Sequence, residues 1–159
     1  MALSDFNLIT DRTQADVYRF AELKAKGFHN MTDEEKAEWE THLKGAYNFT
    51  DMNRVESAVE YVANRLTEAG YVVMPVVKKN WARTDKPTLA DLTRYMKNVS
   101  DIRTALATYE TTPEAPTTEK RLNYQTANAI EQILTDVDDL ISKMVSAYYY
   151  AGDLYSGEI

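Results

Sequence analysis

One stretch constrains the fold more than any other: KGAYNFTDMNRVESAVEYVANRLTEAGY, ending at Tyr71. It reads as a complete helix with a start, an apolar stripe and a stop. Asn48 and Thr50 are competing N-caps, because their side-chain oxygens accept from amides that the first turn leaves unpaired. Met52, Val55, Val59, Val62, Leu66 and Ala69 recur at steps of three or four and make one apolar face. Gly70 can take the left-handed conformation that closes a helix. Such a rod has to be covered by other elements, and the rest of the chain supplies further helices.

Thr13 with Asp16, Thr32 with Glu35 and Thr88 with Asp91 have the spacing of capping boxes, in which two side chains satisfy each other's free amides. They predict helices from about Gln14 to Lys26, closed by Gly27, from Thr32 to about Lys44, closed by Gly45, and from Thr88 onward. The second is polar and pinned by Trp39. In the third, Leu89, Leu92, Met96, Val99, Ile102 and Leu106 keep helical spacing, and Asn98 to Asp101 offers a point where the helix could restart. Asn123 caps the last and longest helix, whose stripe runs through Ala127, Ile130, Ile133, Leu134, Val137, Leu140, Ile141, Met144 and Ala147. Residues 110–122, with two prolines and four threonines, form a loop. Residues 71–79, YVVMPVVKK, are rich in β-branched residues and favour an edge strand or a short two-stranded ribbon, since Pro75 cannot donate to a central ladder. The fold expected is all-α, a bundle of four to six helices with at most a short β-ribbon near residues 71–79. Residues 1–12 are an extended lead and residues 13–159 a single helical domain.

Charge limits the partners. The chain has 159 residues and a net charge of -7, which argues against a nonspecific nucleic-acid binder. The charge is uneven: residues 78–103 hold seven Lys or Arg against three Asp, while residues 123–159 hold six acids against Lys143 alone. These two helical regions are expected to attract each other, the alternative being that the basic one forms a patch facing an anionic partner. No apolar run approaches the ~20 residues needed to cross a bilayer, and the first residues lack the pattern of a secretion signal.

Tests for chemistry find little. There is no cysteine, which removes disulfides and thiolate chemistry. Glu38 and His42 share a helix face without an evident third metal ligand. Asp136, Asp138 and Asp139 fall on a run that continues as a helix, with Ile141 where a calcium loop needs glycine. No nucleophile elbow, P-loop or dinucleotide fingerprint occurs. The expectation is no catalytic residue, no metal and no cofactor. Arg12 and Arg54, beside Asp11 and Asp51 near helix starts, oppose the helix dipole and are expected to form salt bridges that tie loops to helix ends.

The aromatic residues point instead to contact. Tyr148, Tyr149, Tyr150 and Tyr155 cluster at the end of the last helix, and three in a row cannot all face one core. Either a tail folds over them, or they form a surface for a partner protein or a platform for sugar rings. Trp39 and Trp81 are lesser candidates for the same role.

Four segments, ITDRTQADV, KGAYNFTDMNRVESAVEYVANRLTEAGY, WARTDKPTLADLTRYMKNVSDIRTAL and LNYQTANAIEQILTDVDDLISKMVSAYYYAGDLYSGE, occur in that order over residues 9–158. This order resembles a module of bacteriophage and prophage minor structural, tail-associated proteins of Gram-positive bacteria. The resemblance implies a non-enzymatic virion building block, made in the bacterial host cytoplasm, that makes protein–protein contacts in a tail or baseplate region. Its implied partners are other phage structural proteins or itself as a homo-oligomer, with neither nucleic acid nor membrane. The alternative is a receptor- or carbohydrate-binding module that uses exposed aromatics.

Overall fold

Each helix begins where a short polar side chain can stop the chain from fraying. A computed structural model describes residues 1–41, 43–117 and 122–156, with side chains as far as Tyr148. Its helices are α1 (Gln14–Lys26), α2 (Asp33–Glu40), α3 (Phe49–Glu68), α4 (Leu89–Thr104) and α5 (Tyr124–Ser156), and no strand occurs among the described residues. Thr13, Thr32, Asn48 and Thr88 cap the first four, each in a reciprocal box with Asp16, Glu35, Asp51 and Asp91. Asn48, not Thr50, caps α3. The Thr126 amide donates to Asn123 Oδ1 at 2.9 Å at the start of α5.

α3 ends in a Schellman closure. Gly70 has φ +95°, the Tyr71 amide donates to the Leu66 carbonyl at 2.8 Å, and the Gly70 amide donates to the Thr67 carbonyl at 3.0 Å. Gly27, at φ +77°, follows α1. α2 stops at Glu40, four residues earlier than expected. α4 is unbroken through Asn98 to Asp101.

The core lies between α3, α4 and α5. Val55, Val59, Val62 and Leu66 face Tyr95, Val99 and Ile102 from α4 and Ile130, Ile133, Leu134, Val137 and Ile141 from α5. Burying one such side chain contributes roughly 1.5–3 kcal/mol, against about 0–1 kcal/mol for an exposed ion pair. The apolar stripes therefore decide the bundle. The architecture is the all-α bundle expected, with three central helices and a smaller α1–α2 arm. The arm has its own anchors: Leu23 is fully buried, the Phe20 and Trp39 rings stack at 5.6 Å, and Arg19 grips Glu38 through two nitrogens.

Two expectations need correction. The N-terminal lead is not wholly extended, because Leu3–Phe6 forms one 3-10 turn that places Leu3 in the core. Among the described residues, the basic and acidic regions do not pair with each other. Lys79 binds Glu60, Arg94 binds Glu56 and Arg103 binds Glu114. Glu131 instead binds Arg12 and Arg54, and Asp138 binds Arg65. α4 and α5 meet through apolar faces, which leaves their charges to other neighbours.

Candidate functional site

Three features stand out on this frame: a buried charge network, an extended strap and an aromatic cleft. The network forms where the N-terminal lead crosses α3 and α5. Glu131 is fully buried and accepts from the Ile9 amide (2.5 Å), Arg12 Nη2 (2.7 Å) and Arg54 Nη1 (2.9 Å). Arg54 Nη2 reaches Asp51 Oδ1 at 2.7 Å, and Arg12 Nη2 lies 3.6 Å from the same oxygen. The other Asp51 oxygen accepts from the Asn48 amide, so one carboxylate both caps α3 and joins the network. Arg12 Nη1 and Arg54 Nη1 also donate to the Ile9 and Asn7 carbonyls. Asn128 accepts from the Arg12 amide and donates to its carbonyl. The expected bridges at Arg12 and Arg54 exist, but Arg12 turns to Glu131 while Asp11 pairs with Lys44.

Tyr47 lies under this cluster, with the Arg12 guanidinium 5.4 Å above its ring. Tyr47 is half-buried, and its hydroxyl lies 2.5 Å from the Tyr95 hydroxyl. Burial is the first cause that pushes both phenols above their usual range. All these groups face one another, so the network clamps the lead to the bundle.

The strap is the stretch expected to be a strand. Residues 71–80 form neither helix nor strand, and side chains bond the backbone that a neighbouring strand would have paired. Asn98 accepts from the Val76 amide and donates to its carbonyl, and Asn53 does the same for Trp81. Glu56 accepts from the Lys78 amide, and Thr67 from the Val73 amide. Glu56 is itself fully buried and also takes Arg94 and the Trp81 indole N–H. Only Val73 points fully inward. Val72, Met74 and Val76 are 72%, 85% and 67% exposed, so the strap displays a row of apolar side chains to solvent.

A cleft of about 710 Å³ separates the α1–α2 arm from the bundle. Phe20, Trp39, Tyr47, Phe49 and Trp81 line it together with the polar Glu40, Asn48, Arg83 and Asp85.

The sequence-chosen contact residues are scattered. Tyr148 is 82% exposed near the end of α5. The side chains of Tyr149, Tyr150 and Tyr155 lie outside the described residues. Trp39 is half-buried at the cleft against Phe20. Trp81 is only 4% exposed, with Lys78 Nζ 3.7 Å above its ring, and it anchors the strap from below. That burial removes it as a protruding contact. The row at Val72, Met74 and Val76 escaped sequence reasoning. Its signal was Pro75 inside a β-branched run, which denies the segment a place in a sheet and leaves its side chains uncovered. Glu38 is held by Arg19, His42 lies outside the described residues, and no group of three potential metal ligands occurs among the described residues. Asp136 accepts from Thr112 and Asp139 from Tyr109, while Asp138 binds Arg65, so the three acids diverge along the helix. No helix among the described residues is long and apolar enough to cross a membrane. Comparison of the chain with protein-family models, with curated proteins and with solved structures gives no match.

Proposed function

We propose that this protein is a non-enzymatic, phage- or prophage-derived structural module that makes protein–protein contacts in a tail or baseplate region of the virion. The observation that carries the contact reading is the strap. Val72, Met74 and Val76 present apolar side chains to water on a backbone held from beneath by Asn98, Glu56 and Thr67. Exposed apolar rows on a rigid support are what partner surfaces cover. The four ordered segments that resemble tail-associated phage proteins supply the context. The buried carboxylates support the non-enzymatic part, since Asp51, Glu56 and Glu131 all lie against guanidinium groups. The test is co-purification with the products of neighbouring genes, using wild type and a Val72→Glu/Met74→Glu variant. Loss of association in a variant that keeps its helical content supports the reading. Equal association of both proteins, or neighbours unrelated to tails, overturns it.

A second reading rests on the cleft. Stacked Phe20 and Trp39 beside Glu40, Asn48 and Arg83 offer an aromatic face with polar groups, the combination that sugar rings use. Glycan-array binding that disappears with Trp39→Ala favours this carbohydrate-binding alternative. An array without hits removes it.

A further inference from the structure

α5 runs well past the body that it stabilises. Among the described side chains, which end at Tyr148, the last fully buried one is Ile141, yet the helix continues to Ser156. At 1.5 Å per residue, positions 142–156 add about 22 Å of rod. A single helix of this length is marginal in water, because helices in proteins draw most of their stability from packing. Something should therefore lie against it.

The spacing along α5 says what kind of surface this is. Ala127, Ile130, Leu134, Val137 and Ile141 alternate steps of three and four, and all five are buried against α3 and α4 or beneath the lead. Met144 and Tyr148 continue that alternation without a break, and the sequence carries it to Ala151 and Tyr155. An alternation of three and four is the seam of helices packing side by side. Within the body, α3 and α4 cover the seam. Beyond it, Met144 is half-buried, Tyr148 on the seam is 82% exposed, and Val145 beside the seam is 56% exposed.

Charge selects the occupant. The chain carries a net charge of -7, so most faces of two copies repel each other. Positions 142–156 hold only Lys143 and Asp153 and are neutral. Lys143 is turned back onto Asp139 at 2.8 Å and the Tyr109 hydroxyl at 2.9 Å, which leaves the seam clear of its charge. An identical neutral seam is complementary to itself under a two-fold axis.

We infer that the overhanging end of α5 is a self-association surface, covered by the same segment of a second copy of this chain. The inference rests on the contact reading above but uses a surface distinct from the strap, so the two fail separately. The overlap is short, about 22 Å of paired helix, so the pairing is weak and strongly concentration-dependent.

Sedimentation velocity from micromolar to millimolar protein tests it. The mass should rise from 18.2 kDa toward twice that value in the wild type. Val145→Glu/Tyr148→Glu should hold it at 18.2 kDa throughout, with an unchanged thermal midpoint because both positions are exposed. Met74→Glu, on the strap, should associate like the wild type. A wild type that stays at its monomer mass overturns the inference, as does a doubled mass in the α5 variant or loss of association in Met74→Glu alone.

Discussion

Replacing Glu131 with glutamine keeps the volume of the side chain and removes its charge. In the wild type, Glu131 is the common acceptor for the Ile9 amide, the buried Arg12 guanidinium and the half-buried Arg54 guanidinium. Glutamine retains one carbonyl oxygen and places amide hydrogens where the second oxygen was. Those hydrogens then face either Ile9 N–H and Arg54 or Arg12, donor against donor. Removing one partner of a buried pair costs about 3–5 kcal/mol. Asp51 still neutralises part of the charge, at 2.7 Å from Arg54 and 3.6 Å from Arg12, which places the expected loss near the lower end, about 3 kcal/mol. For a chain of this size that is a fall of about 6–12 °C in Tm. Urea unfolding gives the free energy, and hydrogen exchange locates it. The Ile9 amide should lose protection by far more than the amides of α4, because the lead detaches before the bundle opens. A loss under about 1 kcal/mol, or a destabilised protein whose Ile9 amide exchanges no faster than α4, refutes the idea that this network clamps the lead.

Gly45→Ala should destabilise by about 1–3 kcal/mol, since an added Cβ would sit 2.0 Å from the Asp16 carbonyl oxygen and no side-chain rotation can relieve a backbone contact; chemical denaturation gives the cost, and a shift in tryptophan emission should report α1 moving away from the loop. Trp81→Phe should cost about 1–3 kcal/mol by removing an indole donor from the buried Glu56, and proteolysis within residues 71–80 should accelerate if the strap loosens. Burial raises the folded pKa of Tyr47 and Tyr95 above the unfolded value of about 10, so their stability contribution is complete below that pH and is lost as pH rises through the folded values. Alkaline titration should therefore show two of the eleven tyrosines ionising late, together with unfolding. Two tyrosines that titrate normally in the folded protein contradict this. At the acid end, Lys44 holds Asp11 below the usual carboxylate range and Arg19 does the same for Glu38. Both contributions are present above about pH 4 and fade as pH falls through the lowered folded values, so Lys44→Ala and Arg19→Ala should flatten the acid limb of the stability profile.

Local chemistry was legible in the sequence, and distant pairing was not. Each capping box spans four residues, so Thr13 with Asp16 or Thr88 with Asp91 announces a helix start before anything else is known. Gly70 marks the end of α3 for the same reason. The apolar stripes of α3 and α5 also follow from spacing alone. Arg12 and Glu131 lie 119 positions apart, and nothing near either residue names the other. Regional charge counts misled because α4 and α5 meet through Val99, Ile102, Ile133 and Val137 rather than through their ions. The strap forms neither the edge strand nor the short two-stranded ribbon that its β-branched residues favoured. Asn98 and Asn53 supply an amide that mimics a neighbouring strand, and residue type alone does not say which asparagines will do so. Tyr148 is exposed, while Trp81 turned inward because Glu56 offers its indole a buried acceptor.

Hydrogen exchange along α5, read at low and at high protein concentration, tests most directly whether the uncovered apolar surface of this fold is built to be covered. Protection over residues 142–148 should grow as the protein is concentrated, while the amides from Ile130 to Ile141 stay equally slow at both concentrations. Identical exchange of residues 142–148 at the two concentrations would mean that the end of the helix stands alone, and the account of that surface would be wrong.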